Sequence, residues 1–342
     1  MSNGDPLDLV PPQLRVALRE FGAWSDAQLL REEALIAPVD PLFHYTGGAS
    51  LEGILKNEHL WCFSHLHQTD KEEFSYSRGI ALKELSNLKN VGDQFGRNVC
   101  GCLEDLLTAN DYRDIFEFYL FSLSQRRDSL SQWKDYGRNN GQEGAGFSIG
   151  FAPHLFLPDI KTISEIANEN IHVGKVTYGD VKTTYRHRKV FEAAAQIANR
   201  IGKQNHAVVF RSKEVHFNFA RAMALEVLAR QLIWRCLTSK RLRFESEAEI
   251  RFVMMNVPAK FDGLRNNHCG RTYVKHDLPL RRSGNITEIM IGPAAAGDAE
   301  AKVIKLLKTL GYSGVPVRAH NARSCEVSGV VVAKMHAFQQ DT

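Results

Sequence analysis

The apolar positions change period several times along the chain, and the changes mark out its elements. Over residues 11–37, Leu14, Val16, Leu18, Phe21, Leu29 and Leu30 mark a helical segment, which Pro38 and Pro41 end. "LFHYT" follows as a strand and breaks at Gly47-Gly48. Ser50 is placed to cap a helix carrying Leu51, Ile54 and Leu55. "HLWCFS" reads as a second strand. Residues 71–109 predict two helices with breaks near Gly92 and Gly96, and "FEFYLFSLS" (116–124) predicts a buried strand. A short helix at "SLSQWKDYG" (129–137) and strands at "AGFSIGF" (145–151) and "HVGKVTYG" (172–179) come next. Two long helices, about 181–202 and 213–238, precede strands at 247–256, 271–276 and 286–293. A helix at 297–310 and a strand at 315–319 complete the pattern.

Short strands interrupted by helices predict an α+β fold with mixed or antiparallel sheets, not a regular doubly wound one. The expected organisation is an N-terminal helical segment (1–40), a single α+β domain (41–325) with a helical insertion (181–238), and a C-terminal tail (326–342). No repeat is visible. No G-x-G-x-x-G or G-x-x-x-x-G-K-[ST] is present, so neither a Rossmann fingerprint nor a P-loop is supported.

Composition narrows the picture only a little. The chain has 342 residues, 44% hydrophobic and 24% charged, enough for a sizeable core without staples. Its apolar runs fall well short of the roughly 18 residues of a membrane span. The N-terminus shows no basic-then-apolar signal pattern. Cysteines at 62, 100, 102, 236, 269 and 325 make no CxxC pair, so free thiols in a reducing cytoplasm are expected. A net charge of +4 permits an anionic ligand without demanding one. Basic residues cluster at 185–191, 238–244 and 277–284, either as solvated faces or as phosphate contacts.

Three separated pieces carry candidate chemistry. His44-Tyr45-Thr46-Gly47 offers an imidazole, hydroxyls and bare backbone amides in a small volume, suited to ribose hydroxyls and a carboxamide. A structural histidine satisfied by backbone is the plain alternative. Trp133 and Tyr136, three apart, share a helical face before a glycine-rich loop, where rings can stack on a flat heterocycle or fill a core. In "FESEAEIRFVMM", a strand would place Glu245, Glu247, Glu249 and Arg251 on one face, with Phe244, Ile250, Phe252 and Met254 on the other. Same-face carboxylates repel, which raises the pKa of one of them unless a cation intervenes. An edge-strand Arg–Glu pair facing solvent is the plain reading. A separate stretch, "SHLHQTDKEEF", offers His65, His67, Asp70 and Glu73, and His65-x-His67 on a strand would share a face as metal ligands do.

The ordered motifs "LFHYTGG…LWCFS…TDKEEF", "DSLSQWKDYG…GAGFSIGF", "FESEAEIRF" and "ITEIMIGP…VPVRAH" resemble an uncharacterised bacterial family, a domain-of-unknown-function group, over roughly residues 41–325. Thr69 stands where that family has Asn. The same pieces, in the same order, also resemble ADP-ribosyltransferases of the diphtheria-toxin-like, His-Tyr-Glu class. His44 and Thr46 match the first motif, Tyr136 the second, and Glu249 or Glu247 the third; Tyr45 departs from it. That resemblance implies an ADP-ribosyltransferase-like core and NAD as substrate, with ADP-ribose passed to a nucleic-acid or protein acceptor, in a setting of bacterial defence or toxin biology. It implies that His44 orients a ribose, that backbone near Tyr45 holds the carboxamide, and that Trp133 or Tyr136 stacks the leaving ring. Glu249 is then the first choice for the essential carboxylate and Glu247 the second, with Arg251 beside them. Two other expectations stand beside it: a nucleotide- or nucleic-acid-binding module without turnover, and a metal-dependent hydrolase using His65, His67 and Asp70.

Overall fold

The computed structural model describes residues 10–34, 40–67, 73–88, 93–109, 117–156, 171–257 and 265–320. The expected C-terminal tail, Cys325, and Thr69 to Glu72 lie outside these residues. The fold is mixed α+β, built on an open sheet that has ten strands among the described residues.

The sheet is organised around β3 (Glu117–Ser124), the aromatic run that reads as a buried strand. Along one edge, β3 pairs antiparallel with the whole of β8 (Glu249–Val257), from Ser124 opposite Glu249 to Glu117 opposite Val257. Its other edge is shared by two strands. β1 (Leu42–Thr46) meets it at Ser124, and β2 (His59–Ser64) meets it at Leu120 and Tyr119. Beyond β1 lie β4 (Phe147–Phe151), β11 (Ile286–Ile291) and β12 (Val317–Ala319). Beyond β2 lie β10 (Arg271–Asp277) and β9 (Arg265–His268), and beyond β8 lies β5 (Ile171–Lys175). A separate parallel pair joins β6 (Thr177–Tyr178) to β7 (Ser239–Lys240).

Strand alternation divides the core in two. Phe118 and Leu120 of β3 and Val253 of β8 join one cluster with the helical layer. That layer comprises α1 (Pro12–Ala34), α3 (Glu73–Leu88), α4 (Gln94–Ala109), α6 (Asp180–Gln204), α8 (Lys213–Val227) and α9 (Ile233–Leu237), α7 (His206–Val209) being a single turn. Tyr119, Phe121 and Leu123 join a second cluster on the other face, with α2 (Gly48–Asn57) and α10 (Ala299–Thr309). Between β3 and β4 in the chain lies α5 (Leu130–Asp135). The helices of 181–238 therefore share one buried core with α1, α3 and α4, and Trp234 is completely buried there. In α2, Leu51, Ile54 and Leu55 face the second core, each burial contributing about 1.5–3 kcal/mol.

Several local expectations are corrected. Ser50 lies inside α2. Gly47 is its N-cap, in extended conformation and without a side-chain cap bond. A Cβ at Gly47 would stand 2.7 Å from the Arg138 carbonyl, so the close approach of that loop excludes a capping side chain there. Gly96 is inside α4, against Ala195 and Asn199 of α6, and is not a break. The strand read at 172–179 divides into β5 and β6 around Val176, whose N–H donates to the Glu249 carbonyl at 2.9 Å. The second long helix is interrupted by a π-helical turn at Leu228–Leu232. Most consequentially, 242–247 is not strand. Leu242–Glu247 forms a 3-10 turn, and Ala248 in the left-handed region (φ 43, ψ 49) resets the chain so that β8 begins at Glu249.

Candidate functional site

The interrupted strand undoes the carboxylate ladder yet brings two of its members together by another route. Glu245 turns to the surface, where it meets Lys182 at 3.5 Å. Phe244 leaves the core face and receives the Lys240 and Arg243 cations over its ring. Glu247, at the end of the turn, and Glu249, at the head of β8, are both buried, and the ammonium of Lys240 lies between them.

Lys240 is positioned by β7, a two-residue strand held beside Thr177-Tyr178. Its Nζ lies 2.7 Å from a carboxylate oxygen of each of Glu73, Glu247 and Glu249. The Arg251 Nε donates to Glu249 Oε1 at 2.8 Å, and its terminal nitrogens donate to Glu73 and to the Leu237 carbonyl. Three carboxylates thus face two cations inside the protein. Such a cluster holds only when each desolvated charge has a partner. Tyr178 accepts the Glu249 backbone N–H at 2.8 Å. Ser124, opposite Glu249 in the sheet, donates to the Glu247 carbonyl at 2.6 Å.

The carboxylates are not equivalent. Burial would raise Glu249, but Arg251 and Lys240 overcome it and hold the group well below the usual carboxylate range. Burial raises Glu247, and the Glu249 charge adds to this; Lys240 only partly opposes it. Burial would lower Lys240, but the surrounding glutamates raise it, so it remains an ammonium. Tyr136 follows the end of α5 and is 42% exposed. Its hydroxyl donates to Glu247 Oε1 at 3.2 Å, while Oε2 is held by Lys240. Glu247 is thus the least neutralised carboxylate of the three, and it is hydrogen-bonded to the exposed Tyr136.

Trp133 does not share that position. It is buried, its indole N–H donates to Asp128 Oδ1 at 2.7 Å, and it meets Tyr45 edge-on with ring centroids 4.8 Å apart. Tyr45 is also buried, its hydroxyl donating to the Arg126 carbonyl at 2.8 Å and accepting the Ser129 N–H at 3.0 Å. These two rings fasten the 125–129 loop to β1. Thr46 is buried opposite Phe147, and Gly47 caps α2.

His44 stands apart from the carboxylates. Phe43 is paired with Ser124, and Ser124 with Glu249, so all three side chains share one face. His44, one residue on, faces the other side and packs against Phe121, with ring centroids 4.4 Å apart and planes tilted by 34°. Its Nδ1 donates to the Ser122 carbonyl at 3.1 Å. Burial lowers its pKa to about 4, against a smaller opposing effect of that bond, so the ring is neutral near pH 7.

Of the metal candidates, His65 packs its ring against Phe118 and Phe74, and Glu73 faces Arg251 and Lys240. Asp70 and the His67 side chain lie outside the described residues. Among the described residues, no group of three His, Cys, Asp or Glu is arranged to hold a metal ion. No described helix is long and apolar enough to cross a membrane. Sequence reasoning missed Lys240 and Tyr178. Lys240 reads as one member of a surface basic cluster, although three acids converging on one place require a cation.

Residues 132–252 match the model of a family described as a protein of unknown function (DUF2971). The matched stretch contains Tyr136, Tyr178, Lys240, Glu247, Glu249 and Arg251, and it leaves out His44 and Glu73. The description carries no activity. No curated protein and no solved structure matches the chain.

Proposed function

We propose that the protein is an ADP-ribosyltransferase-like enzyme that cleaves NAD and transfers ADP-ribose to a nucleic-acid or protein acceptor, with Glu247 as its working carboxylate. The observation that carries this reading is the pair formed by Glu247 and the exposed Tyr136 ring. In this reaction the bond between ribose C1′ and the nicotinamide nitrogen breaks, and its electron pair leaves with neutral nicotinamide. The ribosyl carbon becomes cationic and is captured by an acceptor oxygen or nitrogen, which then loses its proton. A carboxylate that accepts a hydrogen bond from a ribose hydroxyl and faces the cation stabilises that state electrostatically. Glu247 is suited to this because Lys240 alone neutralises it, whereas Glu249 is held by both Arg251 and Lys240. Tyr136 supplies a ring on which the nicotinamide stacks. In this reading His44 does not touch the ribose.

The reading is tested by incubating the full chain with NAD and following nicotinamide release by chromatography, with and without oligonucleotide or protein acceptors. Release that disappears in Glu247→Gln and persists in a surface variant such as Glu245→Gln supports it. Absence of release and of NAD binding from the wild type would leave the second reading, a nucleotide- or nucleic-acid-binding module without turnover. One observation favours that second reading: every carboxylate of the cluster has an ion-pair partner, as a purely structural clamp would.

A further inference from the structure

A second feature lies on β2, β10 and β9, at the end of the sheet where β9 is the last of the described strands. Pairing of Tyr273 with Phe63 and of Lys275 with Trp61 puts these four side chains on one face. Arg271 lies two residues before Tyr273, and its pairing with His268 adds both to the same face. The opposite face of β2, through Leu60 and Cys62, is buried with Leu51 and Leu55 of α2.

The rings form a continuous row. Trp61 stacks on Tyr273 with centroids 4.3 Å apart and planes 23° apart. Phe63 lies 5.8 Å from Tyr273, and His268 lies 5.1 Å from Trp61. Trp61 and Phe63 are half-buried, while Arg271, Lys275 and His268 are exposed. The Arg271 guanidinium lies over the Phe63 ring, 4.1 Å from its centroid. Asp277, near the far end of the face, is opposite His59.

We infer that this face binds single-stranded nucleic acid. Unpaired bases stack along the Trp61 end of this row, and Lys275 and Arg271, the latter held over the Phe63 ring, meet the phosphates. The argument is one of complementarity. Aromatic rings interleaved with cations on a flat strand surface match a ligand made of alternating flat bases and anionic phosphates. A duplex hides its bases in the stack and cannot use the rings. This inference does not depend on NAD chemistry at Glu247, and it stands whether or not that chemistry occurs.

The test is fluorescence anisotropy of the full chain with labelled 12-nucleotide oligouridylate, oligothymidylate and a blunt duplex of equal length. Single strands are expected to bind more tightly than the duplex. Two phosphate contacts predict a loss of about sevenfold between 50 and 200 mM salt. Trp61→Ala is expected to weaken binding by about tenfold or more, and Trp61→Phe to retain most of it. Arg271→Gln and Lys275→Gln are expected to weaken binding and flatten the salt dependence. A circular-dichroism melt of each variant separates lost binding from lost folding. Absence of binding by the wild type, equal affinity for the duplex, or full affinity in a folded Trp61→Ala would overturn the inference. So would a wild-type dimer in sedimentation velocity that Trp61→Ala abolishes while no oligonucleotide binds, because the face would then be covered by a second copy.

Discussion

Lys240 and Glu249 meet at 2.7 Å inside the protein, joined across a 3-10 turn and one left-handed alanine. The same ammonium also reaches Glu73 at the start of α3 and Glu247 at the end of the turn. One cation thereby ties the helical layer to the head of β8.

Replacing Lys240 by Met removes this tie and leaves three carboxylates with Arg251 alone. Breaking a buried pair from one side costs about 3–5 kcal/mol. Urea denaturation of Lys240→Met is expected to show a loss of that size. An unchanged midpoint would mean that the cluster contributes nothing to stability.

Glu247, at the end of the turn, and Glu249, at the head of β8, respond to pH with opposite signs. The pKa of Glu249 is lower in the folded protein than in the unfolded chain, whose value is about 4.5. Its contribution is therefore complete above about pH 4.5 and is lost as pH falls through the folded value. Glu247 is raised, so its ionisation opposes folding as pH rises above the unfolded value. Denaturation at pH 7 and pH 3 is expected to show that Glu249→Gln loses more stability at pH 7 than at pH 3. Glu247→Gln is expected to cost less than Glu249→Gln at pH 7. The reverse order would contradict the assignment of charges.

His44 is expected to titrate near pH 4 with its proton on Nδ1, bound to the Ser122 carbonyl. Heteronuclear NMR of the imidazole reads both properties. Its folded value lies below that of the unfolded chain, so its contribution is present above about 6.5 and is lost as pH falls toward about 4. A midpoint near 6.5 would place the ring in water, away from Phe121.

Much of the fold is legible in the pattern of apolar residues. "LFHYT" and "HLWCFS" are strands with the bounds the sequence suggests, because glycines and charged residues punctuate them. The carboxylate face is legible only in part. Glu247 and Glu249 do converge, but the alternation that pointed to them fails at Ala248, a non-glycine residue with positive φ that period-two counting does not foresee. Trp133 and Tyr136 have a helix-face spacing, yet the helix ends between them, and one ring is sealed while the other reaches solvent. Lys240 is hidden because its role depends on β7, two residues long and paired with a strand far away in the chain. His44 is displaced by register alone: a shift of one position along β1 moves a side chain through the sheet.

Tyr136 is the variant that separates substrate contact from support. If the proposed NAD site is right, Tyr136→Ala removes the ring beside Glu247 and is expected to weaken NAD binding up to about tenfold in calorimetry. Tyr136→Phe keeps the ring and loses only the 3.2 Å hydrogen bond. It is expected to retain most of the affinity. Unchanged affinity in Tyr136→Ala would remove the ring from the site.

The most direct measurement is the rate of nicotinamide release from NAD by the wild type and by Glu247→Gln, both verified as folded by thermal melts. The account predicts measurable release by the wild type and a fall of about 100-fold or more in the variant, the size of effect seen when a group facing transition-state charge is removed. Equal release by the two proteins, or none by the wild type under any acceptor condition, would contradict it.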